Sequence, residues 1–316
     1  MLTGKQETDG LAFLDAYTSG VDRQNSYPLR DVIATPRGQS EAREVSYQEA
    51  LDEVQRGILK DERSGKLPIL LEHTHMLMSS ATLNAHIPTP RVTRPTPIIV
   101  DKCLDLDGHE DCHRSRSSPS YLLTHPNPTL LSDRFFFGFT PIITIRHPAL
   151  MVPSLIRGRQ KLQGIPKLDS EFAPIATYRW EKLVFDSYRS YYAATTDSLS
   201  RKRVPIVIDG SKLAQDPYGT MERMCEVLGM SEEEMGVRYM WEPNMGPARD
   251  KFWEVFTGEL RRSSGVKPSG HLPETLDLEK EKSKWVNEWG PDVADKIEAA
   301  VNDAMEDYEY LSRYSL

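Results

Sequence analysis

The sequence predicts an α/β fold, a parallel sheet flanked by helices, and three observations predict it. Short apolar runs at residues 67–73 (LPILLEH), 141–146 (PIITIR) and 204–208 (VPIVI) alternate with longer segments of helical period. The runs are too short for helices and nearly all apolar, as strands covered on both faces are. Helix-capping residues punctuate the segments between them, and strands separated by helices pair in parallel because each crossover returns the chain to the same end of the sheet.

The elements follow in order. A first helical pattern spans residues 10–19 with Asp9 as N-cap. A second starts at Ser46, where Glu49 three residues on completes a capping box, and runs to about Glu62 with a stop at Gly65. Residues 67–73 are the first buried strand. Residues 85–130 carry Pro88, Pro90, Pro95, Pro97, Pro119, Pro126 and Pro128 and no helical period, which predicts a long excursion over the surface. After the strand at 141–146, Pro148 is placed as the first residue of a helix that reaches about Arg159. An aromatic helix covers about 170–197, and the strand at 204–208 follows it. Asp216 and Pro217 open the next helix as N-cap and first residue, and Gly229 closes it. Ser231 with Glu234 is a further capping box. Helices at about 276–289 and 291–311 end the chain. There is no internal repeat, and the expectation is one domain over residues 1–316 with the excursion inside it.

Composition narrows the function. The net charge is −8 over 316 residues. A nucleic-acid or anionic-membrane partner needs a broad basic face, so neither is expected, although a locally basic pocket for one small anion is compatible. Three cysteines, Cys103, Cys112 and Cys225, make no disulfide framework and suit a reducing compartment. The opening residues contain no apolar core of a signal peptide, and no apolar run approaches the roughly 18 residues of a membrane span. The expectation is a soluble, cytoplasmic protein whose partner is a small molecule.

One unit carries chemistry. Ligands of open α/β sheets bind beyond the carboxyl ends of the strands. The segment TIRHPALMVPSLIRG brings Arg146 to such an end and places Ser154 eight residues later, one to two turns into the next helix. A guanidinium fork matches phosphate oxygens in pairs, and a serine hydroxyl and a helix N-terminus add donors and a positive dipole end. The combination predicts a monophosphate site. The same segment resembles the 3′-phosphate-binding segment of sulfotransferases, which have the P-loop nucleotide-binding fold. Three further segments fit that family in order: LPILLEHTHML, PIVIDGSKLAQDPYGTMERMCEVLGM and, for its fungal branch, KWVNEWGPDVADKIEAAVNDAMEDYEYL. The likeness covers most of the chain from about Ser46.

The resemblance implies a donor, 3′-phosphoadenosine-5′-phosphosulfate (PAPS), with Arg146 and Ser154 on its 3′-phosphate. It implies that His73 takes the acceptor hydroxyl's proton, a task suited to an imidazole titrating near neutrality. His75 is a weaker candidate, two residues on. Two departures accompany these matches. Leu71 stands where the family carries a lysine, and no strand followed by a Lys/Ser/Gly/Thr-rich phosphate loop is recognisable, Thr3-Gly4-Lys5 being the nearest approach. A shortened gene product or a protein that has given up transfer would each explain the second departure. The fold expected is therefore sulfotransferase-like with its first strand missing or altered.

Other constellations are read as structural. Cys103 to His113 gathers ligand types at spacings that suit neither zinc nor calcium, so no metal site is expected. Tyr178, Trp180, Phe185, Tyr188, Tyr191 and Tyr192 predict a helix packed on the sheet, or a lining for an apolar acceptor pocket. Arg261 and Arg262 stand where the family has a late basic loop. The function expected is sulfuryl transfer from PAPS to a small-molecule hydroxyl, in the setting of fungal secondary metabolism. The alternative is a sulfotransferase-fold protein without PAPS activity, serving as a different tailoring catalyst or an accessory protein.

Overall fold

A computed structural model describes residues 13, 16, 45–86, 96–102, 123–164, 166, 168, 172–194, 205–230, 241–248, 251–266 and 276–316. The helix expected over 10–19 (apart from Phe13 and Ala16), the Thr3-Gly4-Lys5 stretch, the Cys103–His113 cluster, the Ser231/Glu234 box and most of the 85–130 excursion lie outside these residues. The chain divides into two compact units. The first takes its described residues from Met1–Arg30, Gly38–Thr140 and Leu183–Val204, the second from Asp31–Arg37, Pro141–Lys182 and Pro205–Leu316.

The first unit begins with α1 (Tyr47–Arg63), whose capping box is formed as expected: Glu49 N–H donates to Ser46 Oγ and Ser46 N–H to the Glu49 carboxylate. Tyr47, Ala50, Leu51 and Val54 are buried, the i, i+3, i+4, i+7 stripe of a helix covering a core. Residues 67–73 form no strand, against expectation. Leu67, Ile69 and Leu71 are more than half exposed, and no other strand among the described residues pairs with them. Pro68 removes one donor from any such ladder. Two short helices follow, α2 (Thr74–Leu77) and α3 (Ser80–His86). The described parts of the excursion are pinned at both ends. Val100 exchanges two hydrogen bonds with the Gln48 side chain, and Met78 bridges Thr129 in antiparallel fashion. The helix α4 (Asp133–Phe136) ends in Phe136 and Phe137, which pack against Tyr188; Phe137 also stacks on Tyr191 at 4.1 Å between centroids.

The second unit holds the sheet, a parallel pair of β1 (Ile142–Ile145) and β2 (Ile206–Asp209) with Ile142 opposite Ile206. The unit is thus α/β, as expected. β2 is buried throughout, whereas β1 is buried only at Ile143 and Ile145. The chain end lies along the other edge of β2: Ser315 bridges Val207 in parallel, and Leu316 N–H donates to Val207 O. Helix α5 (Pro148–Gln163) starts at the expected proline and runs a turn beyond Arg159, to a left-handed Gly164. Helix α6 (Arg179–Ala194) begins in this unit and ends in the first. After β2 come α7 (Gly210–Gln215) and α8 (Pro217–Leu228), the latter capped by Asp216 and closed by Gly229 at φ 69°. α9 (Lys251–Arg262), α10 (Leu278–Trp289) and α11 (Pro291–Ser312) complete it. Ala149, Val152 and Ile156 of α5 share a core with Phe172, Trp285, Ala294, Ile297 and Val301, so α5 is clasped by α10 and α11. Its far face meets α9, where Gly158 lets the Phe256 ring approach.

Candidate functional site

The carboxyl ends of β1 and β2 carry Arg146 and Asp209. Arg146 leaves the end of β1 exposed, and its guanidinium makes no hydrogen bond or ion pair among the described residues. Its main chain is held instead. Arg146 N–H donates to Tyr178 Oη at 2.8 Å, and Tyr178 O–H donates back to Arg146 O at 2.7 Å. Tyr178 is buried, and burial pushes its phenol above the ordinary value, so it remains a neutral hydroxyl able to serve as donor and acceptor at once. Ser154 lies exposed in the second turn of α5, off the apolar stripe of Val152 and Ile156.

The start of α5 differs from expectation. Pro148 has no N–H; Ala149 N–H donates to His147 Nδ1 at 3.2 Å; Leu150 and Met151 N–H both donate to His147 O. The first turn therefore has no amide left for a phosphate, and what it offers an anion is the dipole end alone. His147 is buried against the edge of Tyr308, with centroids 5.3 Å apart. Burial lowers its pKa, an effect the charges of Asp209, Glu309 and Glu281 only partly offset. The lone pair that caps Ala149 also requires an unprotonated Nδ1. Asp209 ends β2 and caps α7: its Oδ1 accepts Ser211 N–H at 2.7 Å and its Oδ2 accepts Tyr308 O–H at 2.7 Å. A buried carboxylate is thus satisfied by two neutral donors without a cation.

His73 and His75 belong to the first unit, at the start of α2. His73 is the N-cap residue, with no side-chain cap bond, and the two imidazoles stack with centroids 5.7 Å apart and planes at 26°. Burial lowers the pKa of His73. His73 keeps solvent-facing surface, so that loss of water is the crowding of a surface rather than a sealed core. Burial, with the nearby His73 charge, pushes His75 down to about 3. Both rings are therefore neutral near pH 7, and of the two His73 is the one suited to accept a proton there, His75 taking one only in acid.

The other candidates have structural duties. Arg261 donates to the carbonyls of Gly246 and Pro247, and Arg262 pairs with Glu254. Trp180, Phe185, Tyr188 and Tyr192 are buried, each in the unit that holds it. No cluster of three or more His, Cys, Asp or Glu side chains suited to a metal ion occurs among the described residues, and no described helix is long and apolar enough to cross a membrane. Sequence reasoning grouped Tyr178 with the packing aromatics and passed over His147 and Tyr308. Spacing cannot reveal a hydroxyl that reaches main chain 32 residues away.

The second unit is thus an α/β unit with an exposed arginine at the end of a parallel strand, followed by a proline-started helix. The chain is 26% identical to sulfotransferase ppzF of Metarhizium majus (strain ARSEF 297), across 90% of this chain and 84% of that protein. It is 28% identical to sulfotransferase ppzF of Metarhizium rileyi (strain RCEF 4871), across 58% of this chain and 55% of that protein. The chain is thus similar in sequence to two fungal proteins named sulfotransferase. No family profile and no solved structure matches it.

Proposed function

We propose that the chain transfers a sulfuryl group from PAPS to the hydroxyl of a small molecule, as a tailoring step on a fungal secondary metabolite, on a P-loop nucleotide-binding fold. The observation that carries this reading is the guanidinium of Arg146 at the carboxyl end of β1, without a partner among the described residues, in a chain similar to proteins named sulfotransferase. The donor set fits a phosphate monoester: a bidentate fork, an exposed hydroxyl at Ser154 and the dipole end of α5, with no carboxylate among the described residues paired to the fork. PAPS, when bound, supplies an activated sulfuryl group on an anhydride to phosphate. Arg146 and Ser154 would hold the 3′-phosphate. His73, neutral near pH 7, would take the acceptor hydroxyl's proton on an imidazole nitrogen as the acceptor oxygen bonds to sulfur and the sulfur–oxygen bond to the 5′-phosphate breaks, with adenosine 3′,5′-bisphosphate leaving.

Calorimetric titration with PAPS, followed by detection of sulfated product from candidate hydroxyl compounds, tests this. Arg146→Ala should weaken PAPS binding about 10–100-fold, the worth of a charge-assisted pair. His73→Ala should keep binding and lose about 100-fold or more of turnover. A wild-type chain that binds no PAPS sinks the proposal. A second reading, a sulfotransferase-like protein that acts as an accessory or as a different tailoring catalyst, is favoured by Leu71. That residue is exposed where the resemblance calls for a lysine to stabilise charge on the bridging oxygen. On this reading Arg146→Ala leaves the cellular contribution intact.

A further inference from the structure

We infer that Tyr178 is a positioning residue for anion binding, fixing the direction from which Arg146 presents its guanidinium; the inference rests on the 3′-phosphate reading of Arg146. Arginine has a long, rotamer-rich side chain, and ordering it on binding has an entropic cost. That cost rises if the main chain that carries it is itself free. Arg146 lies one residue beyond β1, where the ladder with β2 has ended at Ile145 and Asp209. In a longer strand its N–H and C=O would bond to a neighbouring strand. Here one hydroxyl replaces that neighbour, accepting from Arg146 N–H at 2.8 Å and donating to Arg146 O at 2.7 Å.

Both peptide units that flank the Arg146 Cα are thereby tied to one atom, which sets the Cα–Cβ direction. The tie is rigid because Tyr178 is itself immobile. Its ring is 6% exposed and lies 6.1 Å, centroid to centroid, from Tyr308. The Tyr308 hydroxyl is spent on Asp209, which caps α7 at the end of β2. The end of one strand is thus braced, through two tyrosines, against the end of the other. The guanidinium has no partner among the described residues, so the bracing serves the main chain and leaves the fork for a ligand.

The test is calorimetry of wild type and Tyr178→Phe with two probes, adenosine 3′,5′-bisphosphate and adenosine 5′-monophosphate. Removing the hydroxyl should weaken the bisphosphate about tenfold and leave the monophosphate, which lacks the group Arg146 holds, unchanged. An equal loss for both probes means a general structural role and overturns the inference. So does undiminished binding of the bisphosphate by the variant, an outcome that leaves the sulfuryl-transfer reading standing. A wild-type chain that binds neither probe overturns that reading, and this inference falls with it. Should Tyr178→Phe fold too poorly to titrate, hydrogen exchange of the wild type decides. The Arg146 amide should be protected in the free protein and more so with bisphosphate; exchange at the rate of an open loop overturns the inference.

Discussion

His75 shows how far a residue's surroundings alter chemistry that its identity alone suggests. Two imidazoles two residues apart read as a candidate base with a neighbour, and the structure stacks them at 5.7 Å. Burial and the His73 charge bring His75 from 6.5 down to about 3. A group whose folded pKa lies below its unfolded value is protonated more readily when the chain unfolds. Its stability contribution is whole above about pH 6.5 and is lost as pH falls from there toward 3. The melting temperature should therefore drop between pH 7 and pH 4, and His75→Gln should flatten that slope. Equal slopes in parent and variant would refute the role given to burial. At the same scale, Arg146 and Ser154 were legible because strand end, proline and spacing are written locally. The loss of the α5 amides as anion donors was not, since it depends on which way the His147 ring turns once Tyr308 packs on it.

At the scale of the element, caps carried over from sequence to structure with little change. Ser46 with Glu49, Asp216 with Pro217, and Gly229 all sit where their chemistry placed them, because a cap is satisfied within one turn. Two glycines with open space around their Cβ positions separate geometry from packing. Gly57 lies inside α1 and is exposed, so Gly57→Ala should stabilise by roughly 0.5–1 kcal/mol. Gly229 has φ 69°, so Gly229→Ala should destabilise by about 1 kcal/mol despite meeting no atom. Urea denaturation of both variants checks the opposite signs. The run at 67–73 went the other way. Its apolar content predicts a strand, yet strandedness is a property of a pair, and no neighbour among the described residues supplies the other half.

For the whole molecule, order should follow the cores of the two units rather than the apolar content of segments. Hydrogen exchange should find the slowest amides in β2 and along the buried face of α11, at positions such as Ile208 and Ala304. Amides 67–71, as apolar in sequence, should exchange fast, since Leu67, Ile69 and Leu71 are exposed and these amides donate to no main-chain carbonyl among the described residues. Slow exchange across 67–71 would show that this segment does pair. The acidic balance of −8 coexists with an Arg146 guanidinium that has no partner among the described residues.

The sequence by itself determined the caps at Ser46, Pro148, Asp216 and Gly229, the pairing of two apolar runs with helices between them, and the delivery of Arg146 to a strand end, whereas the aromatic helix expected from about residue 170 starts only at Arg179. The caps and the strand end rest on interactions within a turn or two of chain. Tertiary structure alone decided that Tyr178 grips the Arg146 main chain, that Tyr308 satisfies Asp209 across 99 residues, and that residues 67–73 form no strand among the described residues. Those outcomes depend on which side chains distant segments bring within hydrogen-bond reach, and neither period nor propensity encodes that distance.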